Sequence, residues 1–214
     1  MTCRRPWRCC AARNSSSRSS STTSVTESAG TGSAPGAPAP DYIGDTSRWL
    51  ERAVIGLNLC PFAKAVVTKG QVRMVLSEAR DAASLLETLG VELLHLRDTP
   101  VEATDTTLIV HPHVLGDFLD YNDFLEHADA LVGELELEGV LQVASFHPQY
   151  QFAGSAPDDI ANFTNRSPWP TLHLLREDSV SRAVDAFPDP DAIVERNIRT
   201  LEDLGHAGWR KLFD

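Results

Sequence analysis

The chain has 214 residues, 19 basic and 30 acidic side chains, and a formal net charge of −11. That length is ample for one hydrophobic core, and no run approaches the roughly 20 apolar residues that span a bilayer. The acidic balance repels phosphate backbones, so neither nucleic acid nor a membrane is an expected partner.

Residues 1–40 differ from the rest. Arg4, Arg5, Arg8, Arg13 and Arg18 stand among many Ser and Thr, and no acid precedes Glu27. This is the composition of an organellar transit peptide, so import into a mitochondrion or chloroplast is the expectation. A cytoplasmic chain with an extra tail is the alternative. The stretch "SAGTGSAPGAPAP" reads as a Pro-stiffened linker, which predicts one globular domain over 41–214. The tail holds five of the 19 basic residues and one of the 30 acidic ones, which leaves the domain near −15. Cys60 is the one cysteine in the domain, so no internal disulfide can form there, as suits a reducing compartment.

From Asp45 as N-cap, Trp49, Leu50, Ala53, Val54 and Leu57 recur at helical spacing, predicting a helix over about 46–58 that Pro61 stops. "QVRMVL" alternates and predicts a strand. Leu85, Leu86, Leu89, Leu93 and Leu96 mark a helix that tolerates Gly90, and "TTLIVHP" is a short buried strand ended by Pro112. After Asp117 a long amphipathic helix runs through Phe118, Tyr121, Leu125, Ala128, Val132 and Leu135 to Gly139. "VLQVASF" and "TLHLLRE" are the third and fourth strands. A short helix capped by Asp178 or Ser179 reaches Phe187, and the last helix opens at "DPD" and presents Ile193, Val194, Ile198, Leu201 and Leu204 before Gly205. Strands alternating with helices predict an α/β fold, a four-stranded mixed sheet with helices packed on it.

The connection over about 149–170 is long for a compact domain, and such loops are usually functional or disordered. Tyr150, Phe152, Phe163 and Trp169 give it anchors, which argues for order. His147 and His111 each precede a proline at a strand end, and both are expected at the carboxyl edge of the sheet, where open α/β sheets place ligands. His173 lies inside the fourth strand, facing either that rim or the core. His111, His147 and His173 with Asp158 or Asp159 would suit zinc or non-haem iron. The competing reading has the strand-end histidines bonded to backbone carbonyls and His173 packed in the sheet.

In "DDIANFTNRS", Asp158 as N-cap would place Asp159, Asn162 and Arg166 on one helical face, with Arg166 clamping an anion beside Asn162 and Asn165. Pairing of Arg166 with Asp159 is the alternative. Arg176 ends the fourth strand and either faces the same site or is solvated. Cys60 reads as a buried structural thiol, with a nucleophilic or redox role as its rival. His113 reads as a solvated loop residue. No phosphate-binding Gly-rich loop, dinucleotide fingerprint, nucleophile elbow or paired CxxC occurs.

The stretches "VIGLNLCPFAK", "TTLIVHP", "DYNDFL", "LQVASFHPQYQFAG", "NRSPWPTLHLLREDS" and "ERNIRTLEDLG" resemble an uncharacterised, mostly bacterial family, domain of unknown function 1415, over about 46–212. That resemblance implies no activity, cofactor or catalytic residue.

The residues therefore lead to a small soluble enzyme acting on a small anionic molecule. His147 is the expected acid, base or metal ligand, with His173 and His111 as partners, Asp158 or Asp159 as carboxylate and Arg166 as clamp. The rival is a binding or assembly factor that uses the 149–170 loop as a docking surface. Oligomeric state is not legible.

Overall fold

The computed structural model describes residues 39–186 and 191–214. Asp41 opens the first helix by accepting the Gly44 N–H at 2.9 Å, so α1 (Tyr42–Trp49) begins before the expected cap at Asp45. It runs on into a π-helical turn, Leu50–Ile55. Asn58 then turns the chain with φ 54, a conformation asparagine tolerates better than most residues. A short helix the apolar spacing did not predict follows, α2 (Ala63–Thr68), and it buries none of its residues.

The remaining elements are β1 (Val72–Leu76), α3 (Ala82–Asp98), β2 (Thr106–Val110), α4 (Phe118–Glu134), β3 (Leu141–Phe146), β4 (Thr171–Arg176), α5 (Glu177–Asp185) and α6 (Asp191–Lys211). Asp81 and Asp117 cap α3 and α4 with their carboxylates, as acids at those places should. α5 follows β4 with no intervening turn, so its cap is Arg176 rather than Asp178 or Ser179. The expected end at Phe187 and the Pro190 start of the last helix lie outside the described residues. Within α6 the chain leaves helical geometry at Gly205, φ 62, ψ 173, where the expected stop falls, and a second helical segment follows the kink.

The sheet is mixed and open, in the order β1-β2-β4-β3. β1 and β2 are parallel, and β4 runs antiparallel to both β2 and β3. The carboxyl ends of β1, β2 and β3 therefore share one edge with the start of β4. The long connection from β3 to β4 stays at that edge.

Alternation along the strands sends side chains to two layers. On one face Ile109, Leu141, Leu172 and Leu174 meet Leu85, Leu89, Leu93 and Leu96 of α3 and Tyr121, Phe124, Ala128 and Val132 of α4. On the other, Leu108, Val72, Met74 and Phe146 meet Trp49, Leu50, Ala53 and Val54, with Trp209 and Leu212 closing over them. Each fully buried leucine of these layers contributes roughly 1.5–3 kcal/mol by removal from water. No described helix is long and apolar enough to cross a membrane.

Candidate functional site

The turn between β2 and α4 departs from ordinary backbone. Leu115 has φ 56, a region that costs a branched side chain strain. Two histidines brace it. His111 Nδ1 donates to the Val114 carbonyl at 3.2 Å, and His147 Nε2 donates to the Leu115 carbonyl at 3.1 Å.

These bonds fix the tautomers, since a carbonyl can only accept. His147 Nδ1 in turn accepts the Gln149 N–H at 3.0 Å. Both nitrogens of the neutral ring are thus engaged by backbone. His111 and His147 are fully buried, and the Tyr121 ring lies 5.7 Å from one and 5.0 Å from the other. Burial drives the His111 imidazole down to about 4, with the neighbouring His147 pushing the same way. Burial also lowers His147, assisted by the charge of Arg166 and opposed by the Leu115 carbonyl and Asp117. Among the described residues, His111 Nε2 is buried with no hydrogen-bond partner.

His173 does not join them. It alternates with Leu172 and Leu174, so it sits on the opposite face, where its ring lies 5.9 Å from Phe146. Its Nε2 is 2.7 Å from Thr106 Oγ1, whose own proton goes to the Leu174 carbonyl at 2.6 Å. The ring therefore carries its proton on Nε2 and donates to the threonine, and burial lowers its pKa to about 4. Among the described residues no group of three or more His, Cys, Asp and Glu side chains is placed to hold a metal ion. Zinc or iron on His111, His147 and His173 together is not a geometry this fold presents.

The loop is ordered from within. Asp159, not Asp158, caps a 3-10 helix, Ile160–Thr164, by accepting the Ala161 N–H at 2.9 Å. Asp158 is exposed. Asn162 is fully buried: its Oδ1 accepts the Phe152 N–H at 3.0 Å and the Ser155 hydroxyl at 2.8 Å, and its Nδ2 donates to the Ala156 carbonyl at 2.8 Å. Asn165 accepts the His147 N–H on its carbonyl at 3.2 Å and donates from Nδ2 to the Ser145 carbonyl at 3.4 Å. Both asparagines are consumed in holding the loop, which corrects the expectation that they face a ligand beside Arg166.

The aromatics turn inward too. Tyr150 packs between Phe118 and Phe152, Phe163 meets Trp209 and His206 of α6, and Trp169 lies against Tyr42 while its Nε1 donates to Asp45 at 3.1 Å.

Arg166 is the exception. Its Nε donates to the Tyr150 carbonyl at 3.1 Å, its Nη2 to the Pro157 carbonyl at 2.6 Å, and its guanidinium carbon lies 4.4 Å from the Phe163 ring centre. Among the described residues it has no carboxylate in ion-pair contact, Asp159 included, and Nη1 donates to no protein group. Burial lowers its pKa, yet a guanidinium keeps its charge.

Arg176 is remote from it. At the far end of β4 it donates to the carbonyls of Leu96, Thr99 and Thr104 at 2.6, 2.5 and 3.0 Å, closing the end of α3. β4 spans its six residues at about 3.3 Å each, so Arg166 and Arg176 serve opposite edges of the sheet. Cys60 is a free thiol whose pKa burial raises, against the Phe62 and Ala63 amides and Arg196.

The fold and this rim define a small open-sheet α/β domain with the guanidinium of Arg166, free of any carboxylate among the described residues, in the loop at its carboxyl edge. The chain belongs to the family described as protein of unknown function DUF1415, whose model matches residues 41–211. Neither a curated protein nor a solved structure matches it.

Proposed function

We propose that the chain binds a small anionic molecule at Arg166, on the rim that the 147–170 loop builds at the carboxyl edge of the sheet. One observation carries this reading: a half-buried guanidinium, in a domain near −15, held by two carbonyls and a phenyl face and given no acidic partner among the described residues. Carbonyls do not neutralise a charge, and the Nη1 side retains donors in the end-on fork that suits carboxylate or phosphate. The anchored aromatics favour this over a protein-docking loop, because Phe152, Phe163 and Trp169 are spent within the fold. Turnover by His147 requires that ring first to release Gln149 or Leu115, so binding is the role the geometry supports best.

The test is calorimetric titration with formate, acetate, succinate, sulfate and inorganic phosphate, on the native chain and on Arg166→Ala. The expected result is saturable binding of one anion class that the substitution abolishes. Binding that survives Arg166→Ala, or none in the native chain, removes the proposal.

A further inference from the structure

Two basic side chains converge on Phe163. The Arg166 guanidinium carbon lies 4.4 Å from the centre of that ring, and the His206 imidazole lies 5.3 Å from it, turned at 73°. One comes from the loop between β3 and β4 and the other from α6, yet they share one phenyl group.

Gly205 delivers the histidine. At φ 62, ψ 173 it takes a conformation that a residue with a side chain rarely adopts, and α6 kinks there. The helical segment beyond the kink presents His206 and Trp209, three residues apart and so on one face, to Phe163 at 5.3 and 5.2 Å. Trp209 also packs on the layer of Trp49 and Leu50, whereas His206 stays exposed.

His206 is uncommitted within the fold. Among the described residues the histidine in ion-pair contact with a carboxylate is His113, with Glu78 at 3.6 Å. His206 has no such partner there, and its ring nitrogens form no hydrogen bond with a protein group. A second basic side chain without an acid, beside the same ring as Arg166 and in a domain near −15, repeats the feature that marks Arg166 itself.

We propose that His206 is the second arm of the Arg166 site and that the ligand is a short dicarboxylate. This rests on the reading of Arg166 as an anion site and names the class of anion. One carboxylate takes the open Nη1 side of the guanidinium, the other accepts from the imidazole, and the carbon chain between them lies on the partly covered Phe163 ring. A monocarboxylate reaches one arm, and inorganic phosphate brings no carbon chain to the ring that the arms share.

Calorimetric titration of the full chain with acetate and with succinate tests this, on the native protein, His206→Phe and His206→Lys. His206→Phe keeps a ring against Phe163 and removes both nitrogens, and His206→Lys returns a cation. Succinate should bind the native chain roughly tenfold or more tightly than acetate, the gain one charge-assisted hydrogen bond gives. His206→Phe should reduce succinate to the level of acetate, and His206→Lys should recover most of the preference. Acetate binding that depends on Arg166, with succinate no tighter, overturns this inference and leaves the Arg166 reading standing. So does succinate binding indifferent to His206→Phe, or an equal loss of both acids in that variant, which marks His206 as packing alone. Binding of neither acid by the native chain removes both.

Discussion

His147 donates to the carbonyl of Leu115, the branched residue whose backbone sits at φ 56, over 3.1 Å. The imidazole at the end of β3 is thus the support of a strained turn after β2. With Gln149 on its other nitrogen, His147 ties two connections of the sheet edge together.

His147→Ala should therefore destabilise the fold by about 2–4 kcal/mol, since it empties a buried site and strands the Leu115 carbonyl and the Gln149 amide. Urea unfolding measures this. Leu115→Gly in the same background should return part of the loss by relieving the backbone, so the two substitutions should be non-additive. A melting curve unchanged by His147→Ala would leave the ring free for other work.

Acid should weaken the protein earlier than its carboxylates require. His111 and His173 titrate near 4 in the folded state, and His147 is also lowered, against about 6.5 when unfolded. The unfolded chain binds these protons first, so the stability that the neutral rings contribute is full above about pH 6.5 and lost as pH falls toward about 4. Unfolding free energies across that range should slope downward with acidification. His173→Gln should flatten the slope.

Asn162→Ala should cost about 2–3 kcal/mol, because it unpairs the Phe152 amide and the Ala156 carbonyl together. The 151–160 segment should then become the first site of cleavage in limited proteolysis, whereas the native loop resists it.

Arg176→Ala separates the two arginines. It uncovers the carbonyls at the end of α3, so unfolding should ease by about 1–3 kcal/mol while anion titration stays unchanged. Loss of anion binding in this variant would place Arg176 at the ligand.

Native Cys60 should react slowly with iodoacetamide and rapidly once urea unfolds the chain, since burial raises its pKa and little thiolate exists near neutrality. Fast native alkylation would restore the redox reading.

The strands and the two long core helices were legible because period and composition agree there: the short apolar run of β2 is buried throughout, and Leu172 and Leu174 are buried on either side of His173. α2 was not legible, for it buries nothing and so leaves no apolar stripe. The position of His111 and His147 at the carboxyl edge followed from their prolines, although β4 intervenes between their strands. Their roles did not follow, because hydrogen bonds to Val114 and Leu115 depend on a turn that only tertiary packing forms. Parity could have separated His173 from them, since it alternates with two leucines of the core. The inward use of Asn162 had no local signal: an amide reads alike in sequence whether it faces a ligand or its own backbone.

α6 touches both halves of what precedes it. Arg196 and Asn197 hold the carbonyls of Asn58 and Leu59 at 2.8 and 2.7 Å, and beyond the Gly205 break Trp209 lies against Phe163 of the long loop. Since α6 follows all these segments in the chain, neither the bend after α1 nor the rim that carries Arg166 can be locked before α6 has been made. On the ribosome the sheet and its α3 and α4 layer can form first, and the rim takes its final packing against Trp209 only when α6 has cleared the exit tunnel.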